Sequence, residues 1–178
     1  ALADEVLPGE SEIIIGDGSP RLMVTGMVDR RITAVCTRPG RILARKGVFV
    51  TRTSGSAPAL EEKDLRDLDA VCAMDVEFVA LSFVRSAADM TRLRAELETR
   101  GSNARTVAKI EKLEACACLD EIIDVSDGVM VARGDLGVEA GVARVPLIQK
   151  DIVHRATKAG KLTITATQMM ESMIESPE

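Results

Sequence analysis

The chain has 178 residues and a formal net charge of −5. Its length and its hydrophobic fraction of 46% are enough for a hydrophobic core in one domain or in two small ones. The acidic balance argues against general nucleic-acid binding, and three Phe without Trp or Tyr leave little for stacking bases. No apolar run approaches the roughly 20 residues that span a bilayer, and no signal-peptide pattern is present, so we expect a soluble cytoplasmic protein.

Residues 1 to about 55 favour short strands joined by turns. The run SEIIIGDGSPRLMVTGMVDRRITAVCT is rich in β-branched residues and is interrupted by Gly16-Asp17-Gly18, a hairpin signal. The run ILARKGVFV closes this region, and residues 51–58, rich in Ser, Thr and Gly, favour a linker. The pattern therefore predicts an all-β portion over residues 1–55 and a second domain over residues 56–178.

The second domain alternates between helical and strand patterns. Helices are predicted near 59–74, from the Ser86–Asp89 capping box to Gly101, over 112–126 and near 145–159. The strand patterns are EFVALSF, ARTVAKIE, VMVA and LTITATQM. This alternation predicts an α/β fold with a parallel sheet, or part of a β/α barrel.

Polar residues stand where these strands end, which is where such folds collect their chemistry. Lys109 and Glu111 end one strand and, being two residues apart, share a face of it. The two following strands end in a polar set: Arg133, Gly134, Asp135, Thr167 and Gln168.

This set suits an anionic, oxygen-rich substrate. Glu111 and Asp135, on different strands, can hold a Mg²⁺ or Mn²⁺ ion that takes its other ligands from water and substrate. Lys109 can neutralise charge on a phosphoryl group or an enolate. Gly134 leaves backbone N–H groups open to a ligand, and Thr167 offers a hydroxyl for hydrogen bonding or proton relay.

Taken singly, these residues have simpler interpretations. A Lys and a Glu two apart are also typical of a charged surface, and Arg133-Gly134-Asp135 is compatible with a polar turn or an adhesion-type loop. Their joint position on successive strand ends favours a site for phosphate and metal.

The thiols and the single imidazole are poor candidates for a site. The four cysteines include no C-x-x-C pair, and His154 is the only histidine, which gives a zinc site little to work with. We predict structural or incidental thiols. His154 follows Ile152 on a predicted helix, away from any strand end, and is predicted to lie at or near the surface.

Several motifs resemble those of the pyruvate kinase family. TVAKIEKLEACACLDEIIDVSDGVMVARGDLGVE resembles the segment with K-I-E and the M-V-A-R-G-D-L-G loop, AGKLTITATQMMESMIESP resembles A-T-Q-M-x-E-S-M, and FVALSFVRSAADM resembles the S-F-x-R strand. Upstream, GESEIIIGDGSPRLMVTG and ILARKGV resemble parts of the family's small β-barrel B domain, so the resemblance covers nearly the whole chain.

The resemblance implies a (β/α)₈ TIM-type barrel that transfers the phosphoryl group of phosphoenolpyruvate to ADP, giving pyruvate and ATP in glycolysis. It implies Lys109 as the lysine that stabilises the transition state, Glu111 and Asp135 as Mg²⁺ ligands, and Thr167 as the residue linked to enolate protonation. The implied substrate-lining residues are Ala132, Arg133, Gly134, Asp135 and Thr167. It also implies a homo-oligomer in complete form. A K⁺ ion is compatible with the resemblance, with ligands mostly outside this chain, but the sequence does not establish potassium dependence.

The resemblance extends over about strands four to seven of the barrel plus a B-domain portion. We therefore expect an incomplete portion of the enzyme, inactive in isolation. Three hypotheses stay open: part of a genuine pyruvate kinase, a truncated non-catalytic relative that serves binding or assembly, and a Mg²⁺-dependent lyase or aldolase of the phosphoenolpyruvate/pyruvate barrel class. The B-domain-like start argues against the third, because a lyase has no use for a lid that closes over a nucleotide.

Overall fold

The computed structural model describes residues 6–16, 18–51 and 59–167. The chain separates into two compact units, Ala1–Ala57 and Pro58–Glu178. The first is an antiparallel β unit and the second an α/β unit with a parallel sheet. In the part of the chain that is described, no helix is both long and apolar enough to cross a membrane.

The antiparallel unit is a four-stranded sheet in the order β3-β2-β1-β4. Its strands are β1 (Glu12–Ile15), β2 (Arg21–Val28), β3 (Arg31–Arg38) and β4 (Val48–Val50). The predicted hairpin is confirmed, because β1 and β2 pair antiparallel around the turn that contains Gly16 and Gly18; Asp17 lies outside the described residues. The main cluster of buried apolar side chains in the described part of this unit is small: Val6, Ile13, Val24 and Val50.

The α/β unit follows the predicted alternation. Its strands β5 (Phe78–Leu81), β6 (Arg105–Ile110), β7 (Gly128–Ala132) and β8 (Leu162–Ala166) form a parallel sheet in chain order. Its helices are α1 (Glu62–Ala73), α2 (Ala87–Thr99), α3 (Leu113–Ala117), α4 (Leu119–Val125), α5 (Arg133–Ala140) and α6 (Val145–Lys158). Sequential parallel strands joined by helices are the repeating unit of a β/α barrel, so the predicted fold class is confirmed.

Two predicted elements differ from the structure. The helix predicted over 112–126 is two helices, α3 and α4, because Cys118 leaves the helical conformation (φ −120°, ψ 33°) and its thiol donates to the carbonyl of Arg85 at 2.9 Å. The segment beginning at Arg133-Gly134-Asp135 is helix α5, where the sequence suggested a loop. Burial of Leu136, Gly137 and Ala140 along one side of α5 explains this helix.

The N-terminal ends of β6 and β7 are joined by a polar network. The Asp127 carboxylate Oδ2 accepts from the Thr106 N–H at 2.7 Å and from the Arg94 guanidinium at 2.8 Å. The same guanidinium nitrogen donates to the Thr106 hydroxyl at 3.0 Å. This network holds the N-terminal ends of the two strands together, whereas Lys109 and Glu111 lie at the C-terminal end of β6.

Candidate active site at the strand ends

The central feature of the site is a buried carboxylate at the end of β6. Glu111 is 1% exposed, and its Oε1 lies 2.8 Å from Nζ of Lys109, whose side chain is 26% exposed. A buried carboxylate is costly unless it is paired and hydrogen-bonded, and this one is both. The predicted pair of Lys109 and Glu111 is therefore brought together, with the lysine facing the more open side.

Two neighbours of this pair come from the end of β5 and were not among the predicted site residues. The Lys109 ammonium donates to the Ser82 hydroxyl at 2.8 Å. The Phe83 backbone N–H donates to Oε2 of Glu111 at 2.5 Å. Both residues belong to the S-F-x-R motif, so the motif was the signal that could have identified them.

The predicted residues at the end of β7 begin helix α5. Ala132 is the buried N-cap residue of α5, and Arg133, Gly134 and Asp135 form its first turn. Oriented N–H groups at a helix start, together with the helix dipole, favour an anionic group nearby. This segment can therefore present backbone donors to a substrate, as predicted, although from a helix instead of a loop.

Thr167 lies against this helix start. The Arg133 guanidinium donates from Nε to the carbonyl of Ala166 at 3.0 Å and from Nη2 to the carbonyl of Thr167 at 2.9 Å. A Cβ atom on Gly134 would lie 4.0 Å from Cγ2 of Thr167. The contacts bring Arg133, Gly134 and Thr167 together; Gln168 lies outside the described residues.

A further contact links the segment after Glu111 to α5. The Leu113 N–H, at the start of α3, donates to Oε2 of Glu139 at 2.8 Å. Glu139 is four residues after Asp135 on α5, so the two carboxylates share a side of that helix. The bond therefore ties the helix that bears Asp135 to the chain directly after Glu111.

The donor set fits a magnesium-type ion better than a cation enclosed by protein ligands alone. Among the described residues, no group of three or more His, Cys, Asp or Glu side chains could hold a metal. Mg²⁺ commonly takes only one or two protein carboxylates and completes its shell with water and substrate oxygens. Glu111 and Asp135, which is exposed at the start of α5, are the two predicted carboxylates of the site, and two carboxylates are enough for such an ion.

Cys116, Cys118 and His154 take no part in the hydrogen bonds of this site. Burial raises the pKa of the Cys116 and Cys118 thiols, which disfavours reactive thiolates at neutral pH. His154 is exposed on α6 and lines a groove of about 430 Å³ with residues of α4 and α6. Its predicted surface position is confirmed.

Comparison with known proteins identifies the family of this chain. The family described as pyruvate kinase, barrel domain, matches residues 1–178. A pyruvate kinase from Clostridium perfringens is 42% identical over 177 residues, which are 99% of this chain and 37% of that protein. One from Methylorubrum extorquens is 45% identical over 165 residues, 93% of this chain and 34% of that protein.

A pyruvate kinase from Thermotoga maritima is 39% identical over 177 residues, 99% of this chain and 38% of that protein. The chain thus spans little more than a third of the length of the curated relatives it matches. The match includes both the antiparallel unit and the parallel sheet with its Lys109–Glu111 pair. The chain belongs to the pyruvate kinase family.

Proposed function

We propose that this chain provides the metal-binding and phosphoenolpyruvate-binding part of a pyruvate kinase, which transfers the phosphoryl group of phosphoenolpyruvate to ADP. The observation that carries the proposal is the buried Glu111 carboxylate paired with Lys109 at the end of β6. Membership of the family favours this reaction over that of a lyase or aldolase.

Lys109 is proposed to stabilise charge that moves during the transfer. The bond between phosphorus and the enol oxygen breaks, a bond to a terminal oxygen of ADP forms, and negative charge builds on the enolate. A compact ammonium held by Ser82 and Glu111, each at 2.8 Å, can face both phosphoryl and enolate oxygens. Such a fixed charge stabilises the transition state without having to reorganise.

The start of α5 and Thr167 are proposed to bind and orient the substrate. The N–H groups of the first turn and the helix dipole attract its carboxylate and phosphate groups. Arg133 holds the end of β8 through two carbonyls, which keeps Thr167 beside this turn. The Thr167 hydroxyl is then available for the proton that converts the enolate to pyruvate.

Glu111 and Asp135 are the proposed ligands of a Mg²⁺ or Mn²⁺ ion. When bound, this ion supplies Lewis-acid stabilisation of substrate oxygens and a template for their orientation. Burial of Glu111, with both of its oxygens hydrogen-bonded, keeps its carboxylate fixed. The Glu139 bond to Leu113 holds α5, and with it Asp135, close to the chain after Glu111.

The metal assignment is tested by Mn²⁺ titration of the 178-residue chain, with free Mn²⁺ measured by electron paramagnetic resonance. Glu111→Gln and Asp135→Asn should each weaken Mn²⁺ binding by about tenfold or more, since each removes a charged ligand. Asp120→Asn, which removes an exposed carboxylate on α4, is the control for net charge and should bind as wild type does. Unchanged affinity in both test variants would overturn the assignment.

The reaction itself is tested in a chimera in which this chain replaces the matching segment of the Clostridium perfringens relative. Pyruvate formation is followed with lactate dehydrogenase. The chimera should turn over, whereas the 178-residue chain alone should not, because it matches only 37% of that relative. A folded chimera that binds Mn²⁺ but makes no pyruvate would favour the non-catalytic alternative, and turnover by the chain alone would contradict our expectation.

Lys109→Met in the same chimera separates transition-state stabilisation from binding. The variant should lose about a hundredfold to a thousandfold in kcat, with a smaller change in KM for phosphoenolpyruvate, because the ammonium acts most strongly on developing charge. A raised KM at unchanged kcat would make Lys109 a binding residue only.

A further inference from the structure

The turn Ser82–Phe83 at the end of β5 contacts both charged residues at the end of β6. Ser82 contributes a side-chain acceptor to Lys109, and Phe83 contributes a backbone donor to Glu111. The register makes this possible: Leu81, the last residue of β5, lies opposite Ala108, one residue before Lys109. Two successive residues of one strand end thus hold the two charges of the next.

The conformation of Phe83 is unusual for an aromatic residue. Its φ of +55° lies in the left-handed region, which is sterically unfavourable for a residue with a Cβ. Its side chain is 45% exposed, so burial of the ring does little to offset that cost. What the conformation does provide is an N–H directed at the buried Glu111 carboxylate.

Ser82 gives the Lys109 ammonium a second acceptor besides Glu111. Each of the two contacts measures 2.8 Å. A divalent ion at Glu111 would repel the ammonium and compete with it for the carboxylate. Ser82 is then the acceptor that keeps Lys109 in place, while the Phe83 N–H prevents the Glu111 carboxylate from turning.

We propose that Ser82 and Phe83 are positioning residues that keep Lys109 and Glu111 in their working orientation when Glu111 binds a divalent cation. This inference rests on the proposed function, in which Glu111 is a metal ligand. It makes Ser82 a determinant of metal affinity, although Ser82 need not touch the metal.

The alternative is that the turn only fastens β5 to β6. A purely structural contact would change the stability of the chain when removed and leave the affinity for Mn²⁺ unchanged. A positioning contact changes that affinity, because without Ser82 the metal-bound state leaves the ammonium short of an acceptor. Charge-assisted hydrogen bonds contribute more than neutral ones, so the difference is measurable.

The experiment is Mn²⁺ titration of the 178-residue chain and its Ser82 variants, with free Mn²⁺ measured by electron paramagnetic resonance. Ser82→Ala should weaken binding by about tenfold, the effect of losing one hydrogen bond to a charged group. Ser82→Thr and Ser82→Val form a matched pair of equal shape, in which only Thr keeps the hydroxyl. The Mn²⁺ affinity of Ser82→Thr should lie within about twofold of wild type, and that of Ser82→Val should be as low as that of Ser82→Ala.

Ser86→Ala is the control for lost stability, because Ser86 is the N-cap residue of α2 on the same segment. This variant should leave the Mn²⁺ affinity unchanged. A second measurement follows the amide proton of Phe83 by NMR, where a bond to a carboxylate gives a strong downfield shift. Glu111→Gln should move this resonance upfield, and no movement would show that the Phe83 contact is absent.

The outcomes separate this inference from the proposed function. If Ser82→Ala and Ser82→Val bind Mn²⁺ as wild type does while Glu111→Gln does not, the inference is wrong and the metal site stands. If Ser86→Ala weakens binding as much as Ser82→Ala, the effect is structural and the inference is again wrong. If Glu111→Gln keeps full affinity, the metal assignment falls and this inference falls with it.

Discussion

The two sheets have the same number of strands and bury them differently. In the antiparallel sheet, β3 alternates between half-buried and exposed residues over its first half and is exposed after that. In the parallel sheet, β7 is buried at four of its five positions and β6 is buried through its centre. An antiparallel sheet can leave one face to solvent, whereas the central strands of a parallel sheet are usually covered on both faces.

The difference determines where a charged group can be held out of water. The antiparallel sheet has an ion pair between Arg21 and Glu12 at 3.1 Å, and both side chains remain partly exposed, at 26% and 20%. In the parallel sheet the cation Lys109 is equally exposed at 26%, but its partner Glu111 is at 1%. Only the second pair provides a fixed, desolvated carboxylate of the kind that chemistry requires.

Replacing the cation of each pair should therefore have unequal effects. Lys109→Met leaves the Glu111 charge buried without its cation and should destabilise the parallel sheet by about 3 kcal/mol or more. Arg21→Met should cost about 1 kcal/mol or less, as is usual for exposed pairs. Native-state hydrogen exchange measures each sheet separately, through the amides of β6 and β7 and those of β1 and β2.

The double variant Lys109→Met/Glu111→Gln is the control for this prediction. It removes the unpaired charge as well and should recover most of the lost protection. If Lys109→Met and Arg21→Met cost the same, burial of Glu111 does not distinguish the two pairs.

Two glycines, one in each sheet, allow a second comparison, of how closely neighbouring strands pack. A Cβ on Gly128 would lie 2.9 Å from Cβ and 3.0 Å from the carbonyl oxygen of Leu162, whereas among the described residues no atom lies within 4 Å of a Cβ placed on Gly26 in β2. Gly128→Ala should thus force β7 and β8 apart, at a cost of about 1–3 kcal/mol. Gly26→Ala should be neutral or stabilise by about 0.5 kcal/mol, because it restricts the unfolded chain.

Thermal unfolding and hydrogen exchange of the two alanine variants measure the difference. In Gly128→Ala the amides of β7 and β8 should lose protection from hydrogen exchange, whereas in Gly26→Ala no amide should lose it. Equal loss in both would mean that the close approach of β7 to β8 is not tight in solution.

Much of the parallel sheet and of its charged pair could be predicted from sequence. Alternation of helical and strand patterns predicted where β5 to β8 lie along the chain, since each period is a local property. Lys109 and Glu111 could be paired because two residues apart on one strand share a face. The capping box of α2 was equally local, and the Asp89 carboxylate accepts from the Ser86 N–H at 3.2 Å.

What could not be predicted depends on contacts between distant residues. Ser82 meets Lys109 across 27 positions of sequence, and Phe83 meets Glu111 across 28. The S-F-x-R motif marks the two residues, but no local pattern shows which side chains they contact. The sequence suggested a turn or loop at Arg133-Gly134-Asp135, because Gly134 gives a flexible backbone and nothing local showed what Leu136 would pack against. The structure has helix α5 there, with Leu136 buried. The split at Cys118 likewise depends on Arg85, 33 residues away.

The smallest predicted effect concerns the opposite end of the parallel sheet, where Asp127 joins β6 to β7. Burial acts to raise the pKa of Asp127, but the Thr106 N–H and the Arg94 guanidinium outweigh it and hold this pKa below its ordinary value. A carboxylate with a lowered folded pKa adds stability above its unfolded pKa and loses it as pH falls through the folded one. The advantage of wild type over Asp127→Asn in urea midpoint should therefore be full at pH 6 and shrink below about pH 4. Arg94→Met/Asp127→Asn should titrate like Asp127→Asn alone, and an advantage that is unchanged down to pH 2 would show that the carboxylate is not held by these partners.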